Sequence, residues 1–386
     1  MRNLKRRSRG IIMNNIILFS VVSLINDISS KMILPVLPLY IKQIGGTGLA
    51  IGLISGLGES LASLLKLASG YWSDKLRKRK PFVILGYAIS EVSKLLFYFA
   101  NTWPIILVLR SFERMGKGLR SASRDAMLAS SSEKRGKAFG IHRAFDSGGA
   151  VIGSIAVLIL VALMHTELRD VFLYAGIIGL FAIPWIFFAK EKGTEKTTDF
   201  KFSFSMLPKK LKRFIIASTI FAFGNFSYMF FVLESQKLFT GADQLIFPVV
   251  LFIIYYLVYT IFAVPVGLQA DKIGKNKIIT LGYGLFIPVT AGFIFFKDFW
   301  IYIALFILYG LMFAFVESNE RAYVSDLSDP KIRATALGTF FALTSIVALP
   351  AGLLAGYLYD IHPYLTFSYG LVTSVIAVII MLGELK

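Results

Sequence analysis

Apolar runs of about 20 residues recur from one end of this chain to the other, and they restrict its fold more than any other feature. Examples are 81-PFVILGYAISEVSKLLFYFA-100, 171-VFLYAGIIGLFAIPWIFFA-189 and 278-IITLGYGLFIPVTAGFIFF-296. A helix needs about 20 apolar residues to cross a bilayer core. A membrane barrel would instead show strands of roughly ten residues with alternating polarity. The runs therefore predict an all-α membrane protein. Composition agrees: of 386 residues, 56% are hydrophobic and only 17% charged, too few charges to cover a soluble surface of this size.

Twelve transmembrane helices are expected near 14–40, 49–72, 81–100, 104–124, 137–164 and 170–189, then near 213–239, 244–269, 276–296, 299–321, 333–359 and 363–383. The formal charge of +18 raises the question of nucleic-acid binding, but the basic residues gather in alternate loops between apolar runs. Arg2, Lys5, Arg6, Arg7 and Arg9 precede span 1, Lys75 to Lys80 follow span 2, and Lys134, Arg135 and Lys137 follow span 4. The loop 101-NTW-103 has no basic residue. This alternation predicts a multi-pass protein of the cell membrane with both termini cytoplasmic. Its expected partners are the lipid bilayer and a small molecule, not nucleic acid. The apolar run after MRNLKRRSRG is too long for a signal peptide and lacks a small-residue cleavage pattern, so an uncleaved first span is expected. The chain has no cysteine, and His142, His165 and His362 form no metal-spaced pair, so neither a metal nor another cofactor is expected.

The one long hydrophilic stretch, 190-KEKGTEKTTDFKFSFSMLPKKLKR-213, divides the spans into two sets of six. The expected domains are an N-terminal bundle over 1–190, a basic linker over 191–212 and a C-terminal bundle over 213–386. The portion 200-FKFSFSML-207 is also suited to lie on the membrane surface.

An internal repeat links the two bundles. The segment 70-GYWSDKLRKRK-80 recurs as 267-GLQADKIGKNK-277, 120-RSASRD-125 as 321-RAYVSD-326, and 135-RGKAFG-140 as 333-RATALG-338. The three anchors keep their order at offsets near half the chain length. Parallel repeats of this kind place a shared site near the bilayer midplane between two rocking halves.

The G-x-x-x-D-K-x-G-x-x-K pattern after spans 2 and 8 resembles the signature loop of the major facilitator superfamily, and the resemblance covers essentially the whole chain. It implies two pseudo-symmetric six-helix bundles, a single-chain transporter (a monomer) and no enzymatic activity. N-D-I-S-S at 26–30 and G-K-G-L-R-S-A-S-R-D-A at 116–126 resemble a prokaryotic, drug-efflux-like branch. Arg77 departs from the pattern where glycine is expected, whereas Gly274 keeps it; relatives tend to carry glutamate where this chain has Lys31. Helix 5 reads 146-DSGGAVIGSIA-156, which only partly resembles the antiporter signature G-P-x-x-G-G. Its Gly149 and Gly153 predict a close helix approach. The loop residues Gly70, Asp74, Lys78, Asp125, Gly267 and Asp271 are expected to form a cytoplasmic gate. The resemblance implies that Asp74 meets the start of helix 11 and that Lys78 pairs with Asp125. The plainer role of these charges is to set topology.

Charges inside the spans mark the expected substrate and proton pathway, because a charge at mid-bilayer costs at least about 2.5 kcal/mol on insertion scales. Helix 1 carries Asn26, Asp27 and Lys31, helix 2 Glu59 and Lys66, helix 3 Glu91 and Lys94. Helix 4 carries Arg110, Glu113 and Arg114, and helix 5 His142, Arg143 and Asp146. At about 1.5 Å rise per residue, Glu59, Glu91 and Asp146 each lie roughly 15 Å along their spans and Asp27 roughly 20 Å. The second half is barer: Asn225 lies near the middle of helix 7, Glu234 near its outer end, and Glu317 and Glu320 near the inner end of helix 10. For these three acids ordinary interfacial solvation is the alternative. Phe221, Phe226, Tyr255, Tyr256 and Tyr259 form an expected aromatic wall. The expected function is a secondary active transporter, proton-coupled and exporting small amphiphilic molecules. Transport of an organic anion is the alternative, and a non-transporting sensor a more distant one.

Overall fold

The computed structural model describes residues 2–131, 135–191, 204, 207–329 and 332–383. These form helices and connecting turns, with no strand among the described residues. The first six helices are α1 (Arg2–Gln43), α2 (Gly48–Lys75), α3 (Lys80–Leu96), α4 (Trp103–Ser130), α5 (Arg135–Ala162) and α6 (Leu168–Leu180, resuming as Ala182–Ile186). The second six are α7 (Lys209–Gly224, resuming as Met229–Gln236), α8 (Asp243–Ile273), α9 (Lys275–Phe295), α10 (Phe299–Asp326), α11 (Arg333–Ile346, resuming as Ala348–Ile361) and α12 (Pro363–Leu382). Most of the linker, including residues 200–203, 205 and 206 of the expected surface segment, lies outside the described residues.

Helix starts follow local chemistry. Proline occupies the first turn of α3, α4 and α12, where its missing N–H costs nothing. Asp298 caps α10 by accepting a hydrogen bond from the Ile301 amide at 3.0 Å. Helix α1 runs unbroken through Pro35 and Pro38 to Gln43. Among the described residues, eleven helices are long and apolar enough to cross a membrane, and α4 is not among them. Its sequence carries Arg110, Glu113, Arg114, Lys117, Arg120, Arg124 and Asp125. Only protein packing makes such a span tolerable.

By packing, the chain divides into two compact units, Met1–Val36 with Leu61–Asp199, and Leu37–Ser60 with Phe200–Lys386. In the first unit, small residues let helix backbones touch. A side chain at Gly149 or Gly153 of α5 would collide with the α1 backbone at Leu24 or Ile28, so the expected close approach is made onto α1. Gly86 of α3 and Gly116 of α4 meet in the same way, as do Gly118 of α4 and Ala62 of α2. An apolar core of Phe19, Val22, Val83, Tyr87, Met127, Ala182 and Ile186 fills the space around them.

In the second unit, the start of α2 lies along the second piece of α11. Gly48, Gly52 and Gly56 face Gly356, Gly352 and the Ala348–Leu349 backbone. The Asp360 carboxylate accepts from the amides of Gly48 at 2.6 Å and Leu49 at 2.8 Å, where the α2 dipole favours an anion. The Ser60 hydroxyl donates to the Ser345 carbonyl at 2.7 Å.

Candidate functional site

Three polar clusters occupy the interior of the first unit. The first joins α1, α3 and α4. Glu91 and Lys94, three apart on α3, form an ion pair with Nζ 3.0 and 2.9 Å from the two carboxylate oxygens. Both are almost wholly buried, at 0% and 1% side-chain exposure. A side chain at Gly179 of α6 would strike the Glu91 carboxylate, so this glycine makes room for it. The Asn26 carbonyl oxygen accepts from Lys94 Nζ at 3.3 Å and from Arg120 Nη2 at 2.8 Å. The Asn26 amide nitrogen donates to Asp27 Oδ1 at 2.9 Å. The Arg120 guanidinium lies over the Tyr87 ring, 4.4 Å from its centroid. Asn26 thus stands between two cations and one half-buried acid.

The second cluster lies within α4, where Glu113 accepts from Arg110 at 2.8 Å and meets Arg114 at 3.5 Å; all three are buried. In the third, Asp146 of α5 accepts from Ser23 of α1 and lies 3.3 Å from His142 Nδ1. Lys31 and Lys66 are half-buried, whereas Glu59 and Arg143 are exposed.

In the second unit Glu317 and Glu320 are each met by a tyrosine. Tyr259 donates to Glu317 at 2.6 Å, and Arg321 reaches the same carboxylate at 3.4 Å. Glu320 accepts from Tyr283, whose hydroxyl also lies 2.9 Å from Ser218. Glu234, which position alone allows to be an ordinary interfacial acid, is buried and paired with both Lys237 at 2.7 Å and Lys297 at 2.6 Å. Asn225 sits where α7 is interrupted between Gly224 and Met229, and its side-chain oxygen is buried without a hydrogen-bond partner. Interrupted helices recur at binding sites in membrane transport proteins because they expose backbone groups to a cavity. The aromatic residues are mutually packed: Phe221 stacks on Tyr283 at 4.0 Å, and Phe226 touches Phe230, Phe231, Phe286, Phe367 and Tyr369.

The repeated loops adopt related but unequal geometry. In the first copy Asp74 pairs with Arg79 at 2.6 Å, Asp125 with the adjacent Arg124 at 2.9 Å, and Gly70 faces Ala122. The Lys78 amide donates to the Ser73 carbonyl at 3.1 Å. The start of α3 is capped by Glu191, which accepts from the Arg79 and Lys80 amides. In the second copy Lys275 bridges Asp271 at 2.7 Å and Asp326, the repeat partner of Asp125, at 2.9 Å. Gly267 faces open space. Arg77 adopts a φ of 53° where Gly274 adopts 101°, so both copies keep the left-handed turn although only one keeps the glycine.

Sequence reasoning missed Arg120 as an interior group, since it reads as one more cation near a cytoplasmic helix end. It also missed Asp360 and Glu191 as caps. The signal for Arg120 was its place in R-x-x-x-x-D, where its small neighbours Gly116, Gly118 and Ser123 mark a packed helix face.

The sequence matches the Major Facilitator Superfamily over residues 19–240 and again over 214–385. An uncharacterized MFS-type transporter of Methanocaldococcus jannaschii is 42% identical over 374 residues, covering 95% of this chain and 94% of the relative. The quinolone resistance protein NorA of Staphylococcus aureus is 26% identical over 153 residues, 39% of this chain and 38% of that protein. Among solved structures, a mutant of the nucleoside transporter NupG superposes with a TM-score of 0.82 at 15% identity, covering 96% of this chain and 100% of that one. That likeness bears on fold alone.

Proposed function

Because this chain belongs to the major facilitator superfamily and is a multi-pass membrane transporter of small molecules, we propose that it is a proton-coupled secondary active transporter that exports small amphiphilic compounds. In this reading it works as a monomer in the cell membrane, with both termini cytoplasmic. The partial likeness to NorA supports the efflux direction. The observation that carries proton coupling is the position of Asp27, a half-buried acid in mid-span that is hydrogen-bonded by a neutral amide. Such an acid gains or loses a proton when its surroundings change between dry and wet. Asp146 of α5, held by Ser23 of the facing α1 and by His142 of its own helix, is the second proton candidate.

Alternating access requires contacts that part and re-form. The Gly48/Gly52/Gly56 seam with its Asp360 cap, and the loop ion pairs Asp74–Arg79 and Lys275–Asp326, are the contacts with that character in this reading. The two ion pairs are polar and close to helix ends.

The test uses purified protein in proteoliposomes with an amphiphile selected by thermal shift. A proton gradient is expected to drive accumulation in the wild type, and Asp27→Asn is expected to abolish the dependence on ΔpH while counterflow persists. Unchanged dependence on ΔpH in Asp27→Asn and Asp146→Asn would remove these acids as the coupling sites, and no dependence on ΔpH in the wild type would remove proton coupling from the proposal. No counterflow with any stabilising ligand would favour the sensor reading.

A further inference from the structure

We propose that Arg120, with Lys94 and Asn26, is the recognition point for a carboxylate on the transported amphiphile, which makes the substrate class amphiphilic organic acids. The inference rests on the transporter reading and specifies its substrate.

Within this cluster Arg120 has no acid bonded directly to it. Glu91 places both carboxylate oxygens on Lys94, within 3.0 Å. Arg120 receives only a neutral partner, the Asn26 carbonyl oxygen, which it shares with Lys94. Its second terminal nitrogen, Nη1, is buried and meets no acceptor. Buried polar groups are almost always hydrogen-bonded, and a guanidinium whose task is to pin helices would use both arms of its fork. Asp27 does not supply the missing charge by direct hydrogen bonding, since the Asn26 amide stands between.

Three further hydroxyls on the same two helices are buried and without partners: Tyr87, beneath the guanidinium, Ser90, and Ser123, one turn beyond Arg120. Hydroxyls and guanidinium N–H groups are donors toward an anion. A carboxylate entering here replaces one shared neutral oxygen with two charged ones, and each N–H contact becomes charge-assisted at both ends. An ammonium group would face Lys94 and Arg120 together and be repelled. Asp27, the half-buried acid that accepts from the Asn26 amide, then lies close to the anion.

Purified protein in lipid-free detergent is heated with 4-butylbenzoate, 4-butylbenzylammonium or 4-butylbenzyl alcohol, which share a ring and tail. A separate arm adds phosphatidylglycerol. The benzoate is expected to stabilise the wild type most. Arg120→Gln is expected to abolish that response, and Arg120→Lys, which keeps the charge but loses the fork, to weaken it by about tenfold. If Arg120→Gln does not fold, the Arg120→Lys titration decides. Equal stabilisation by the three probes, a benzoate response unchanged in Arg120→Lys and Arg120→Gln, or an Arg120-dependent response to phosphatidylglycerol alone would each overturn the proposal. The assay needs no gradient. Arg120-dependent benzoate binding without counterflow would therefore sink the transport reading and leave the site standing, and the reverse result would sink the site alone.

Discussion

The interior of the first unit is ionic and that of the second aromatic, although both descend from one repeated helical plan. In the first, Lys94–Asn26, Arg120–Asn26 and Ser23–Asp146 join α1 to α3, α4 and α5, while Glu91–Lys94, Arg110–Glu113–Arg114 and His142–Asp146 pair charges within single helices. In the second, Phe226 and Phe231 sit amid rings from α7, α9, α10 and α12, and the acids Glu317 and Glu320 are each met by a tyrosine. The difference matters because lipid is as apolar as a core of phenylalanine. Within a membrane, rings hold helices by fit and dispersion, with little hydrophobic drive. Buried charges hold them because separating them leaves an unpaired ion in hydrocarbon. The first design is specific and intolerant of single losses; the second is adaptable and tolerant of pairwise change.

The largest expected effect breaks the ionic side of this comparison. Lys94→Met leaves Glu91 buried and alone, and should lower stability by about 3–5 kcal/mol. Glu91→Gln in the same chain should recover most of the loss, as read by thermal unfolding in detergent. Failure of that rescue would mean that Lys94 is held chiefly by Asn26. On the aromatic side, Phe226→Ala should cost about 2–4 kcal/mol through the cavity left among its neighbours. No neutralising second substitution should restore it, and recovery by one would show a polar role for the cluster.

Two smaller effects compare the copies of the signature loop. Gly274→Ala forces a side chain into the turn at φ 101° and should destabilise by about 1–3 kcal/mol. Arg77→Gly relieves a left-handed non-glycine residue at φ 53°, worth about 1–2 kcal/mol, while giving back about 0.5–1 kcal/mol of chain entropy. A small net stabilisation, measured as a rise in melting temperature, is therefore expected. A loss instead would mean that the Arg77 side chain itself supports the loop.

The spans could be read because a membrane helix is a local property. Length, hydropathy and alternating basic loops place α1 through α12 with few changes, chiefly the interruptions of α6, α7 and α11 and an α4 that runs on to Ser130. Intrahelical pairs could be read for the same reason. Residues three or four apart share a face, which is why Glu91 with Lys94, Arg110 with Glu113, and His142 with Asp146 were visible as units before any fold was known.

What lay beyond one helix was decided by packing. Asp74 reads as a helix-start acceptor, yet in this structure it holds Arg79, while Glu191 and Asp360 fill that role at α3 and α2. Arg120 was one cation among many until the close approach of Gly86 and Gly116 brought α3 against α4 and buried it over Tyr87. Asp27 drew attention by its charge, but the junction is its neutral neighbour Asn26. The sequence by itself determined an all-helical, twice-repeated membrane chain with charges concentrated in its first half. Which of those charges meet was decided only in the tertiary structure, because a partner on another helix is set by helix rotation and by the small residues that allow contact, and neither is encoded in spacing along the chain.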